Sequence, residues 1–395
     1  MKEKINLLRD FSVPLLVGVA VALTWANLSP AGYDRFMRTP VLGLMDVEFV
    51  ANELFMVFFF AIAAVEITLS CLPGGSLNPP HKAVNPLLST LGGVIGPIAV
   101  YLILNAVWGS PSLLRGWGIP TATDIALAWL VARMLFGGNH PVISFLLLLA
   151  IADDAIGLVI ISVFYPDPSH PVVPAWLLLP FLGVLSACAL RKRGVMNYWY
   201  YLLSGGVLSW IGLFKAHLHP ALALVFIVPF LPPPQRDTKS EVFEEESGDP
   251  SPLCRFEHDW RRIVDFGLFL FGLANAGIPF SKAQTVTWLV FLALLLGKGM
   301  GVFLMGLLSE KLGFSLPEGM NRRHLLVAGV IAGIGFTVAL FMAGVAFAHT
   351  DLREAAKMGA VLSIVNALIA ALLAKLLRVR RVSTEASSSS PSEKV

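Results

Sequence analysis

Twelve runs of mostly apolar residues follow one another along the chain, at 12–29, 50–70, 84–108, 118–137, 141–165, 173–190, 197–214, 217–233, 263–281, 286–309, 324–348 and 355–377. An α-helix needs about 20 such residues to cross the hydrocarbon of a bilayer. The pattern predicts an all-α polytopic membrane protein of about 12 transmembrane helices, forming one membrane domain over residues 1–380. The polar connections are short except at 30–49 and 232–262. The second of these is Pro-rich, then acidic, then basic, and is expected to be a cytoplasmic loop. Residues 381–395, with "STEASSSSPSEKV", read as a disordered tail. The first apolar run exceeds a signal-peptide core and no small-residue cleavage site follows it, so it reads as the first membrane helix.

Charge placement orients these helices. With the N-terminus inside, 21 Lys and Arg residues fall in inside segments and 7 outside, which favours both termini in the cytoplasm. The remaining one, Lys298, lies inside the tenth run. Only 14% of residues are charged and 56% are hydrophobic, whereas soluble chains carry about 25% charged residues. Cys71, Cys188 and Cys254 are scattered, with no CxxC pair, so neither a disulfide framework nor a zinc site is expected. No cofactor and no nucleic-acid partner is indicated.

The fifth run, "LLLLAIADDAIGLVIISVFY", carries Asp153 and Asp154 at its middle. Each costs roughly 2.5–3.5 kcal/mol at a helix centre. Fifteen Val, Ile, Leu and Phe residues over 141–165 bring insertion near break-even. A chain carries such a pair for function, since adjacent like charges are a poor structural device. The two carboxylates lie about 100° apart around the helix. One can face a water-filled cavity while the other meets a neighbouring helix. Lys298, at matching depth, is positioned to pair with one of them, leaving the other to exchange a proton.

The fourth run reads "GWGIPTATDIALAWL". Pro120 breaks its hydrogen-bond ladder, and Thr121, Thr123 and Asp124 follow. The eleventh, "VAGVIAGIGFTVALF", is loosened by Gly329, Gly333 and Gly335. Interrupted helices at corresponding places in two halves indicate inverted repeats, here helices 3–5 and 10–12. Asp124 would then balance facing N-termini and Lys298 facing C-termini. Asp153, Asp154 and Thr123 supply hard oxygen atoms. Of the other polar residues, Glu53 and Glu66 sit thirteen residues apart in helix 2, about 20 Å along it. Asn275 in "ANAGIPF" reads as a helix–helix hydrogen bond. His217, His219 and the cluster "CRFEHDWRR", with Glu257 and His258, read either as anchors or as pH-responsive groups.

These residues resemble the bacterial NhaA-type sodium/proton antiporters. The likeness is carried by "TATDIALA", "LLLAIADDAIGLVIISVFY", "VFFFAIAAVE", "RFEH", "FGLANAG", Lys298 in "LLLGKGMG" and "GIGFTVALF", over roughly residues 45–375. That family is a known inverted-repeat architecture. The resemblance implies an electrogenic inner-membrane exchanger that expels sodium or lithium for a larger number of protons. Asp153 and Asp154 would bind the cation and the protons, with Asp124 and Thr123 beside them and Lys298 as the essential base. Glu257, His258 and His219 match residues tied to pH activation, and Glu53 an acidic residue near one of the funnels. A homodimer is implied, with part of its contact from 30–49. The chain departs from the family in lacking a basic pair after Glu66, in Arg261 standing where a histidine is usual, and in the acidic stretch at 232–250.

Three other classes fit less well. An intramembrane aspartyl protease needs its aspartates on separate helices, usually with a GxGD motif, and no Asp follows Gly333 or Gly335. A retinal pump has seven helices with the lysine in the last. A cation channel would be told apart by flux that does not saturate at carrier speeds.

Overall fold

The computed structural model describes residues 13–41, 45–73, 75, 80–138, 140–166, 172–234 and 251–379. The acidic run 241–249 and the tail 381–395 therefore lie outside the described residues. Helices dominate: α1 (Val13–Leu28), α2 (Pro30–Met37), α3 (Val47–Cys71), α4 (Pro80–Trp108), α5 (Ile125–Phe136), α6 (Pro141–Phe164), α7 (Leu178–Lys192), α8 (Val207–Lys215), α9 (Pro252–Asn275), α10 (Thr285–Lys311), α11 (Arg322–Ala332), α12 (Phe336–Ala346) and α13 (Thr350–Leu376). Two stretches, Pro111–Thr121 and Pro220–Phe230, wind as 3-10 turns.

Every predicted apolar run coincides with a helical segment. Among the described residues, six helices are long and apolar enough to cross a membrane, or eight if each bent pair counts as one span. The bent pairs are those read from Pro and Gly. Pro111–Thr121 meets α5 at 56°, and α11 meets α12 at 43°.

Two expectations are corrected. The loop placed at 232–262 is shorter, because α9 begins at Pro252 and the "RFEH" cluster lies within it. Ser251 accepts the Cys254 N–H at 3.3 Å and proline occupies the first helical position, a strong start signal. The all-helical reading also missed a two-stranded hairpin, β1 (Pro40–Val41) paired antiparallel with β2 (Met45–Asp46). Strands of two residues leave no alternation to read.

The helices pack in two groups. In the first, α9 packs on α1 and α3, while α7 and α8 pack on one another and on Pro220–Phe230, which packs on α3. A core of Val57, Ala61, Tyr201, Ile227, Leu253 and Phe256 belongs wholly to this group. In the second, α4 packs on α10, α6 and Pro111–Thr121, α11 on α10 and α13, and α12 on α13. A Cβ on Gly96 would strike the Gly297 carbonyl, so glycine there allows α4 and α10 to cross closely. The groups meet along a seam where α3 touches α6 and α9 touches α12.

Candidate functional site

The broken helices cross at the middle of the second group. Beyond Pro120 the chain straightens through Ala122, and Asp124 then caps α5, accepting the Leu127 N–H at 3.0 Å. Its other oxygen accepts the Thr337 N–H at 3.2 Å and the Thr337 hydroxyl, in the first turn of α12. One carboxylate thus serves two helix N-termini, each carrying about half a positive charge. The Asp124 N–H donates to the Ile334 carbonyl at 2.7 Å, which closes the crossing.

The opposing ends are carbonyl-rich. Lys298 Nζ donates to the Thr121 carbonyl and to Asp153 Oδ2. Both side chains of this ion pair are fully buried. A π-helical stretch, Ala293–Lys298, positions the lysine within α10. The Gly333 carbonyl at the end of α11 is taken by Asn366 Nδ2 at 2.7 Å and not by Lys298. Thr123 donates its hydroxyl to Asp153 Oδ2 at 2.7 Å, with the Ala332 carbonyl also 2.9 Å away.

Asp154 lies one residue further and on another face of α6. Its Oδ1 and Asp153 Oδ1 are buried and have no hydrogen-bond partner. Orphaned carboxylate oxygens are costly unless something binds them. Asp154 lines a cavity of about 390 Å³ with Thr123, Asp124, Glu66, Arg261 and Asp265. This cavity opens between the two helix groups, at the α3 end that carries Glu66.

A second cavity of about 640 Å³ lies at the other end of α3, lined by Asn52, Glu53, His219, Asn275, Arg353 and Lys357 among others. The structure therefore separates residues that the sequence grouped. Glu53 and His219 belong to this opposite cavity, and one His219 ring nitrogen, Nε2, lies 2.7 Å from the Tyr165 carbonyl. Glu257 and His258 stay near the α9 start on the Asp154 side. Arg261 pairs with Glu257 at 3.6 Å, and burial pushes the Glu257 carboxyl up against the pull of Arg261 and His258. Trp260 stacks on Phe58 at 3.7 Å and Tyr198 donates to Asp259 at 2.8 Å, fixing this end of α9.

Sequence reasoning brought Asp124, Thr123, Asp153, Asp154 and Lys298 to one place, with Pro120, Gly333 and Gly335 at the breaks. It missed Thr337 and Asn366. Thr337 had a signal, since a hydroxyl comes two residues after Gly335 at the break, much as Thr123 comes three after Pro120. Asn366 had none, for its helix shows an ordinary apolar pattern.

A family model described as Na+/H+ antiporter 1 matches residues 7–376. The chain is 65% identical over 381 residues to the Na(+)/H(+) antiporter NhaA of Geotalea uraniireducens, covering 96% of this chain and 98% of that protein. It is 62% identical over 382 residues to the NhaA of Geobacter metallireducens, covering 97% and 100%. Among solved structures, the sodium proton antiporter MjNhaP1 of Methanocaldococcus jannaschii at pH 8 matches with a TM-score of 0.53 and 18% identity, over 94% of this chain and 98% of that one. That likeness concerns the fold alone.

Proposed function

Because this chain belongs to the Na+/H+ antiporter 1 family, and is a sodium/proton antiporter rather than an enzyme, we propose that Asp153 and Asp154 form its shared cation and proton site. The observation that carries this is the pair of orphaned carboxylate oxygens beside the crossing of two broken helices. Sodium or lithium takes carboxylate and hydroxyl oxygens, here from Asp153, Asp154 and Thr123. Protons need the same oxygens, so loading one displaces the other.

The charges at the site bear on whether exchange is electrogenic. Two carboxylates and the Lys298 ammonium sum to one negative charge. One sodium neutralises the site, whereas two protons leave it one charge positive. Exchange of two protons for each sodium is therefore electrogenic. Asp124 and Lys298 neutralise the half-helix ends so that the crossing can persist in the membrane.

The two cavities at opposite ends of the seam support alternating access, with this conformation open toward Asp154. The wider reading is a bacterial inner-membrane antiporter of twelve spans, a single domain over residues 1–380 with inverted repeats at helices 3–5 and 10–12, both termini cytoplasmic. It dimerises in part through residues 30–49 and responds to pH through Glu257 and His258 on one side and His219 and Glu53 on the other. Sodium-driven proton flux in proteoliposomes, scanned across pH, tests the site. Asp153→Asn and Asp154→Asn should each abolish exchange. Wild-type rates in both variants would place the site elsewhere.

A further inference from the structure

Among the described residues, exchange at Asp153 and Asp154 leaves the buried charge of Lys357 without a role. Lys357 on α13 is 5% exposed. Its ammonium donates to Asn275 Oδ1 at 2.7 Å. Asn275 in turn donates to Asn52 Oδ1 at 2.7 Å and to the Phe271 carbonyl at 3.1 Å. Lys357 belongs to the second helix group, Asn275 and Asn52 to the first, so this chain of contacts spans the seam. Glu48, Glu354 and Arg353 are the charged groups in electrostatic reach. Among the described residues no carboxylate is within ion-pair distance of the ammonium.

Lys357 also stands between two polar cavities. The cavity of about 640 Å³ and a neighbour of about 560 Å³ are both lined by Glu48, Asn275, Arg353 and Lys357. An ammonium has three donors, and burying it is costly unless it is paired. One neutral amide oxygen does not replace its hydration. Parting the seam here would join the two cavities and bring water to the ammonium. The closed form of this end therefore carries an under-solvated charge that the open form relieves.

We infer that Lys357 acts as a spring, driving the Asn52–Asn275 end of the seam open and setting the balance between the two access states. It touches neither transported ion and is a positioning residue. The inference rests on alternating access at the Asp153–Asp154 site. A carrier needs its two states close in free energy, because apparent affinity on each side scales with the fraction of protein open to that side.

The test uses the full chain, with Cys71, Cys188 and Cys254 replaced and one reporter introduced, Val345→Cys in the larger cavity or Ala126→Cys in the Asp154 cavity. Labelling by a membrane-impermeant maleimide reports access from each side. Lys357→Met should slow labelling at the Val345→Cys reporter about tenfold, a shift of ~1.4 kcal/mol in the conformer balance, and speed it at Ala126→Cys. The sodium KM on the Val345 side should rise by the same factor. Asn275→Ala, which strips the ammonium of its amide partner, should move all three in the opposite direction. Lys357→Gln, which keeps the amide contact without the charge, should follow Lys357→Met and stands in if the methionine variant does not fold. Shifts in one direction for both partners would mean a latch and overturn the spring, as would labelling that does not move. If instead both reporters of the wild type label together irrespective of sodium, alternating access itself fails.

Discussion

Asp124 and Thr337, 213 residues apart in the chain, are joined by the N–H of the second donating to the carboxylate of the first at 3.2 Å. The same carboxylate caps α5. Two helices that start from breaks in different halves of the sequence are thus neutralised by one side chain. Without it, two sets of unsatisfied N–H groups would face each other in the interior.

Asp124→Ala should therefore cost two caps. A single N-cap removal costs about 0.5–2 kcal/mol, so the loss should be about twice that. Asp124→Asn keeps one acceptor oxygen but no charge and should fall between. Thermal unfolding in detergent measures both. Equal melting of wild type and alanine variant would show that the crossing is held by packing alone.

Lys298 and Asp153 form an ion pair with both side chains fully buried. Removing one member leaves an uncompensated charge, at a cost of about 3–5 kcal/mol, whereas replacing both with neutral groups of similar volume is often neutral. Lys298→Met should destabilise strongly, and Lys298→Met with Asp153→Asn should recover most of that loss. A double variant no more stable than the single would mean that Lys298 serves chiefly the Thr121 carbonyl.

The sequence made the chemistry of the site readable because a charge inside a membrane is rare enough to stand out. Asp153, Asp154, Asp124 and Lys298 announce themselves against an apolar background, and Pro120 and Gly333–Gly335 mark the breaks. Neutral polar residues give no such contrast, which is why Asn366 and the role of Asn52 were not legible. Lys357 lies near the start of its run, where lysines usually reach water, so its burial is not legible either. Its burial depends on α9 and α3 closing over it. The start of α9 was misplaced for a related reason. Seven charged or His residues from Arg255 to Asp265 look like a loop when hydropathy alone is read, although Ser251–Pro252 signals a helix start.

Glu257 offers a pH test outside the spans. Burial raises its carboxyl above the ordinary glutamate value. The folded state then binds a proton more tightly than the unfolded one, so stability is lost as pH rises from about 4.5 through the folded value and stays reduced above it. Glu257→Gln should be more stable than wild type at pH 8 and indistinguishable near pH 4. Melting temperatures across that range decide the matter. A variant less stable at pH 8 would show that the Arg261 pairing outweighs burial.

A second titrating device lies where α6 and α11 begin. His140 and His324 pack edge to face with ring centroids 4.6 Å apart, and Phe136 packs against both. His140 Nδ1 accepts the Val142 N–H at 3.2 Å, and His324 Nδ1 accepts the Asn321 N–H at 3.2 Å. Each ring must leave Nδ1 unprotonated to do so, and an imidazolium cannot. Burial, and then His324, lower the pKa of His140 below the ordinary histidine value. Above about pH 6.5 both folded and unfolded forms are neutral and the contribution is constant. As pH falls below that, the unfolded chain takes its proton first, and stability is lost until the folded value is reached. His140→Asn keeps a capping acceptor without a titrating group. Its melting temperature should match wild type at pH 8 and fall less steeply between pH 6.5 and 5. Antiport in the variant should still decline in acid, since protons continue to compete with sodium at Asp153 and Asp154. Parallel melting curves for variant and wild type would mean that the histidine pair stays neutral throughout and only packs the two helix starts together.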